Sequence, residues 1–285
     1  MTDESDAARD GWFAGTEPDD HEAAIAAITG GGTDRPADWP QIAVDTGYVD
    51  SKPEYYDRLH DLSIEATRRE INERERADDQ QLKHAVRAMD DCERVANELA
   101  ERVAEWAGSR RDDAETGITY ARALAEEGER EDTSEDTQLI SLACRVRDLD
   151  NEAASFRSHI ERTAPEVAPN LSALAGPVLA ARLIALAGGL KELARKPAGT
   201  VQVLGAEEAL FSHLRGHAPS PKYGVIFIHE AIQGTAPEHR GSAARALAGK
   251  LAIAARVDHY SGERKPELDA ELHERITRIQ ERESQ

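Results

Sequence analysis

The chain is 285 residues long, with 55 Asp and Glu against 35 Lys and Arg and a formal net charge of −20. That length suits about two domains, and a surface this acidic excludes a generic polyanion binder that works by long-range attraction. Hydrophobic residues make up 40% and aromatics only 5%, so the chain is suited to packing helix faces rich in alanine, with few large core anchors.

In chain order, the first predicted element is a short strand at Gly11-Trp12-Phe13-Ala14-Gly15, followed by a helix from His21 to Ile28 that ends at Gly30-Gly31-Gly32. A second strand is predicted at Ile42-Ala43-Val44 before the turn Asp45-Thr46-Gly47, so residues 1–76 are expected to form a small α/β unit. The glycine triplet has no Lys-Ser/Thr after it and no strand before it, so it reads as a linker and not as a phosphate loop. Lys52 to Ile71 is a charged helix. From Gln80 to Trp106, the residues Leu82, Val86, Met89, Ala96, Leu99, Val103 and Trp106 recur at three- and four-residue steps and predict one buried helix face closed by Gly108.

A helix is predicted over 112–130, and Asp132-Thr133-Ser134-Glu135 offers N-cap chemistry for the next one. In that next helix Leu139, Leu142, Val146, Leu149, Ala153, Phe156 and Ile160 repeat every 3.5 residues for three heptads. This is coiled-coil spacing, and residues 77–164 are expected to form a helical, coiled-coil dimerisation region. The seam's partner is the 112–130 helix folded back, the same element of a second copy of the chain, or both. Pro165 and Pro169 are predicted to close it. Cys92 and Cys144 lie at apolar helical positions, too few for a disulfide framework or zinc site, and read as small buried residues.

Residues 165–262 read as an all-helical domain, with helices at Leu171–Ala187, Leu190–Arg195, Ala206–Leu214 and Gly241–Val257, caps at Gly188-Gly189 and Gly205, and an apolar link at 223–228. Residues 263–285 end the chain in an amphipathic helix with Leu268, Leu272, Ile276 and Ile279 on one face. Charge reverses in this domain. Pro165 to Gly262 holds ten Lys and Arg against seven Asp and Glu, a net of +3, so the other 187 residues carry −23. The same stretch holds five of the ten histidines. Only seven of the 35 basic residues are lysine. An acidic, lysine-poor surface fits a halophilic cytoplasm, where salt screens carboxylate repulsion and phosphate contacts must rest on short-range hydrogen bonds. The acidic opening has no signal-peptide pattern and no apolar run reaches about 20 residues, so a soluble cytoplasmic protein without membrane contact is expected.

Within the basic domain, Val203-Leu204-Gly205-Ala206-Glu207-Glu208-Ala209-Leu210-Phe211-Ser212-His213-Leu214 resembles the signature of the Nop domain. The frame around it agrees over about a hundred residues: Ala168-Pro169-Asn170-Leu171 to Gly176-Pro177, Lys222-Tyr223-Gly224-Val225-Ile226-Phe227, and Ala244 to Asp258. The preceding coiled coil and the start Asp78-Asp79-Gln80-Gln81 also look like archaeal members of that family. The resemblance implies a non-catalytic, homodimeric scaffold of a box C/D ribonucleoprotein for RNA 2′-O-methylation, with partners in fibrillarin, a kink-turn guide RNA and a small ribosomal-protein-like subunit. It implies no cofactor on this chain, S-adenosylmethionine belonging to the methyltransferase partner, and rRNA or tRNA as the modified target. At Glu208, Ser212 and Ser242 this chain departs from positions where relatives commonly carry a basic residue.

The residues themselves suit such a role. Gly205 precedes, and Ala206 and Glu207 open, a helix whose N-terminal amides could face a phosphate. Lys222, Arg240, Arg245, Lys250 and Arg256 supply donors, and His213 or His229 a flat surface for a flipped base. Two other readings compete. A coiled-coil scaffold that binds protein alone would suit the acidic surface. A metal hydrolase would use His213 and His217, four apart, with His229, Glu230 and His239, although Arg215-Gly216 interrupts that helix. Dependence on a kink-turn RNA separates the first from the RNA scaffold, and zinc content separates the second.

Overall fold

The computed structural model describes residues 11–32, 37–130 and 136–281, and every regular element among them is helical. The mainly helical expectation therefore stands, while the two predicted strands do not. The chain divides into two compact units, Met1–Ala77 and Asp78–Gln285.

In the first unit, Gly11–Gly15 is a run of turns, and Ile42-Ala43-Val44 lies inside a helix. Three helices follow one another: α1 (His21–Gly30), α2 (Trp39–Asp45) and α3 (Lys52–Arg76). Local capping decides α2 against a strand. The Asp38 carboxylate accepts from the Gln41 N–H at 3.3 Å, and Pro40 stands in the first turn, where its missing N–H costs nothing. The core is aromatic: Phe13, Tyr48 and Tyr55 are buried, and Trp12 donates from Nε1 to the Tyr55 hydroxyl at 3.0 Å. Burial raises the Tyr55 phenol above its usual value, against the opposing effect of the Trp12 hydrogen bond.

The second unit is built on two 31-residue helices, α4 (Asp78–Gly108) and α6 (Thr137–Val167), with α5 (Gly117–Arg130) beside them. At 1.5 Å per residue each long helix spans about 46 Å. They run antiparallel, because Leu82, Val86 and Met89 share a core with Ile160 and Ala164, while Ala100, Val103 and Ala107 share one with Leu139, Ala143 and Val146. Arg157 ties them at 2.8 Å to Glu93. Trp106, placed by spacing on the buried face, is exposed, and Ala107 takes its place at 0%. The step of four from Val103 keeps to the straight helix's inner face; the step of three leaves it. Residues 131–135, which include the predicted N-cap, lie outside the described residues. Cys92 and Cys144 are half-buried, not buried, and burial raises the Cys92 thiol, with the carboxylates of Glu152 and Asp91 adding to it.

Pro165 does not close α6. It sits inside the last turn, and Ala168 N–H still bonds the Ala164 carbonyl at 2.8 Å. After it come α7 (Pro169–Ala175) and α8 (Pro177–Ala187), bent by 117° at Gly176, whose φ is +77°. The single helix expected over 171–187 is thus two, since a left-handed glycine followed by proline breaks the hydrogen-bond ladder. Among the described residues no single helix is long and apolar enough to cross a membrane, and this bent pair is core material.

The remaining helices are α9 (Leu190–Arg195), α10 (Ala198–Val203), α11 (Glu207–Leu214), α12 (Glu230–Gln233), α13 (Arg240–Tyr260) and α14 (Glu267–Gln280), with a 3-10 turn at Val225–Ile228. Alpha-helix α10 has no counterpart in the sequence reading. Helix α13 is the axis of this domain. Alanines 243, 244, 246, 248, 252, 254 and 255 bury it on nearly every side, so α7, α9, α10 and α14 can all approach it closely. Leu268, Leu272, Ile276 and Ile279 seal α14 onto this core as their spacing predicts.

Two polar clasps lock the domain. At the first, α7 begins behind Ala168, which has no capping side chain. The Asp258 carboxylate of α13 replaces it, accepting from Leu171 N–H at 2.8 Å and from Asn170 N–H and Nδ2 at 3.0 and 2.6 Å. At the second, Asp79 of α4 accepts from Leu190 N–H at 2.8 Å, and Gln80 donates to the Gly188 carbonyl at 3.3 Å. Gly189, at φ +138°, gives them room: a Cβ there would lie 2.7 Å from Gln80 Nε2.

Candidate nucleic-acid interface

The signature segment is shaped by a close approach of two backbone stretches. Gly224 N–H bonds the Gln202 carbonyl, and Val225 N–H bonds the Leu204 carbonyl, each at 2.8 Å. Gln202 Nε2 adds a bond to the Lys222 carbonyl at 2.6 Å. Gly205 then turns with φ +84°, and Ala206 stands at the N-cap of α11. The N-terminus of α11 is not an open phosphate seat. Glu207 folds its carboxylate back to the Gly205 N–H at 2.9 Å, and Glu207 with Glu208 fills the first turn with negative charge. Both acids match the helix dipole within the chain itself.

None of the eight residues of α11 is buried. Phe211 is 59% and Leu214 71% exposed. Sequence reasoning named both only as part of the Nop signature; the signal of their exposure was a helix too short and too polar on its flanks to bury a face. His213 bonds the Ala218 carbonyl through Nδ1 at 2.9 Å and is half-buried. His229 is committed on both nitrogens. Its Nδ1 accepts from Ala231 N–H at 3.1 Å as the cap of α12, and its Nε2 donates to the Leu174 carbonyl at 2.9 Å. It is a structural clasp rather than a free stacking surface.

The cations separate into two kinds. Lys250 pairs with Glu271, and Arg256 donates to the carbonyls of Ala194 and Lys196 at 3.1 Å each. These two hold α14 and α9 to α13, so their expected phosphate role gives way to a structural one. Lys222 and Arg245 are exposed with no carboxylate partner among the described residues. Arg240 is intermediate. Its Nε bonds the Thr235 carbonyl at 3.0 Å, and its guanidinium lies 5.8 Å from the centroid of Phe227, which stacks on Tyr223 at 4.6 Å and 10°. Its Nη2 also reaches the Gln233 carbonyl at 3.5 Å, so an aromatic pair backs a cation that the loop already holds on two nitrogens.

The seam residues fill the chain's own interior. Leu139 and Val146 are buried under α4 and α5 with Leu142 beside them, Ile160 is in the larger core with Phe156 against it, and Ala153 is buried. Leu149 is half-buried and belongs to neither cluster. The 3.5-residue spacing is therefore satisfied first by an antiparallel pair within one chain. His213, His217, His229, Glu230 and His239 form no metal-ligating group.

Residues 68–281 match the Nop family, whose description reads "snoRNA binding domain, fibrillarin". The chain belongs to the Nop family. This Nop-family chain is 34% identical over 275 residues to an uncharacterized NOP5 family protein of Methanocaldococcus jannaschii, an alignment covering 84% of this chain and 66% of that one. It is 35% identical over 219 residues to nucleolar protein 58 of Schizosaccharomyces pombe, covering 64% and 43%. With human nucleolar protein 56 it shares 44% over 123 residues, covering 43% and 21%. The chain thus spans about two thirds of its archaeal relative and less than half of the eukaryotic ones. In fold it is similar to a chain of the crystal structure of a fibrillarin/Nop5p complex, with a TM-score of 0.53, 24% identity, and coverage of 95% of this chain and 98% of that one.

Proposed function

We propose that this chain is a non-catalytic scaffold of a box C/D guide-RNA 2′-O-methylation particle. Its second unit grips a kinked RNA together with a small kink-turn-binding protein, and its first unit holds a fibrillarin-type methyltransferase. Methyl transfer and S-adenosylmethionine belong to that partner. The observation that carries this reading is the surface made by Lys222, Arg240 and the Tyr223–Phe227 stack, together with the exposed Phe211 of the signature helix, in a chain that is otherwise acidic. Lysine and arginine donate to phosphate at short range, and an exposed aromatic offers a splayed base a stacking face. A rigid 31-residue helical pair suits an arm that sets the distance between reactive group and substrate, a distance on which rate depends steeply.

The test is RNA binding by the full chain with its small protein partner, measured by anisotropy on a kink-turn RNA at molar KCl. Lys222→Ala and Phe211→Ala together should weaken binding about tenfold or more with the circular dichroism spectrum unchanged. Equal affinity of variant and parent would remove this surface from the account. Arg240→Ala is a less clean arm, because Arg240 also holds the Thr235 carbonyl.

Self-association is proposed through α6 around Leu149, the half-buried seam residue that belongs to neither interior cluster. Leu149→Glu should convert a dimer to a monomer in light scattering while helical content holds. A dimer that survives this change would place the contact elsewhere.

A further inference from the structure

Helix α4 begins where the two compact units divide. Ala77, extended at φ −61° and ψ 143°, is the single residue between the end of α3 at Arg76 and the start of α4 at Asp78. Leu82 is the first α4 residue in the apolar core, so apolar packing holds the helix from there onward. The turn before it carries N–H groups with no acceptor inside the helix, and a helix end of that kind frays unless something ties it. Asp79 and Gln80 supply ties across the fold. The Asp79 carboxylate accepts from Leu190 N–H at 2.8 Å, and Gln80, 3% exposed, donates to the Gly188 carbonyl at 3.3 Å. The seat is shaped for both: a Cβ on Gly189 would lie 2.7 Å from Gln80 Nε2 and 2.9 Å from Asp79 Oδ2. Arg182 of α8 reaches α4 three turns later, at Asp90, 2.6 Å away.

We propose that Asp79 and Gln80 are positioning residues for methyl transfer: by locking the first turn of α4 to the turn between α8 and α9, they fix the point at which the methyltransferase-holding unit joins the RNA-binding one. The inference rests on the scaffold reading and deepens it, since neither residue is placed there on RNA or substrate. Magnitudes decide the matter. The three residues Asp78 to Gln80 advance about 4.5 Å as helix and about 10 Å when extended, so a released turn lets the junction wander by about 5 Å. A misplacement of about 1 Å in a reacting pair already costs up to about a hundredfold in rate. The RNA-binding surface lies beyond the clasp, on helices whose own core is untouched by it. Loss of the clasp therefore acts on the rate of methylation and spares RNA affinity.

The experiment assembles the full chain with a fibrillarin-type methyltransferase, the small kink-turn-binding protein and a synthetic guide RNA. It follows single-turnover methylation of a complementary RNA oligonucleotide from tritiated S-adenosylmethionine, below the melting temperature of every variant. Asp79→Ala is expected to lower the rate constant about tenfold or more, with RNA affinity within about twofold of the parent. Asp79→Asn keeps an acceptor oxygen for Leu190 N–H and should restore most of the rate. Gly189→Ala presses on the same clasp from the other side, so its effect and that of Asp79→Ala should combine to less than their product. A readout independent of activity is the distance distribution between spin labels at the exposed positions Tyr56→Cys and Ile253→Cys, in a Cys92→Ser, Cys144→Ser background. Asp79→Ala should broaden it. An unchanged rate or an unchanged width in Asp79→Ala overturns the proposal and leaves the scaffold reading standing. Equal losses of rate and RNA affinity would make the clasp a general part of the fold and also overturn it. A parent particle that binds the RNA and supports no methylation removes the scaffold reading, and this inference with it.

Discussion

Replacing Asp258 by alanine should lower the melting temperature of the second unit by roughly 6–12 °C, the shift that about 3 kcal/mol produces in a unit of this size. Asp258 is 7% exposed and Asn170 is fully buried. The carboxylate is the partner of three N–H donors, on the Asn170 backbone, the Asn170 side chain and the Leu171 backbone. Alanine would leave them unsatisfied in the interior, and each buried orphan donor costs about 1–3 kcal/mol before any relaxation. Asn170 is also the acceptor for Lys265 N–H at 2.6 Å and for Arg264 at 3.3 Å, so the fault would extend into the link that leads to α14. Asp258→Asn should recover only part of the loss, because one carbonyl oxygen stands in for two and the amide turns a donor towards a donor. Differential scanning calorimetry on both variants checks this. A melting temperature for Asp258→Ala within about 2 °C of the parent would show that the α7 terminus is satisfied by other means.

Gly224→Ala is expected to damage both stability and RNA binding. A Cβ at this position would lie 2.0 Å from the Leu204 carbonyl oxygen and 2.7 Å from the carbonyl carbons of Leu204 and Val203. Those are backbone atoms, so no rotamer change relieves the contact. The 222–225 stretch must withdraw from 202–204, losing the bonds from Gly224 N–H to Gln202 and from Val225 N–H to Leu204. Forced overpacking costs about 1–3 kcal/mol and the two bonds about 1 kcal/mol each. The same movement shifts Lys222 and Tyr223 away from Gly205 and α11, so RNA affinity should fall by more than the stability loss accounts for at temperatures where the variant is folded. Comparing hydrogen exchange at Val225 with RNA affinity on the same sample tests the link. Slowed or unchanged exchange with full affinity would mean that the chain accommodates the methyl group without separating the two stretches.

Gly224 illustrates what the motif could and could not reveal. The run Lys222 to Phe227 was legible as part of a family signature, yet its physical requirement is a contact with residues some twenty positions earlier. The Asp78-Asp79-Gln80-Gln81 start is similar: legible as a family trait, explained only by the cap it provides across the fold to Leu190. The basic cluster was legible as a cluster, but composition cannot sort its members. Lys250 and Arg256 became structural because α14 and α9 bring Glu271 and the carbonyls of Ala194 and Lys196 to them. Lys222 and Arg245 stayed free because no carboxylate among the described residues reaches them. His229 meets the same limit, since one of its two partners, the Leu174 carbonyl, lies far away in the sequence, while the other, Ala231 N–H, is local.

By itself the sequence determined the helical nature of the chain, the inner faces of α4, α6 and α14, the stops at Gly108 and Gly188, and the local reversal of charge, because these depend on spacing and conformational preference within one element. Tertiary structure decided that Ile42-Ala43-Val44 is helical in an aromatic core, that the 3.5-residue seam is used first inside one chain, and which cations remain available to a phosphate. Those outcomes depend on groups far apart in sequence meeting in a desolvated interior, where a donor or charge is either matched by its neighbour or left for a partner.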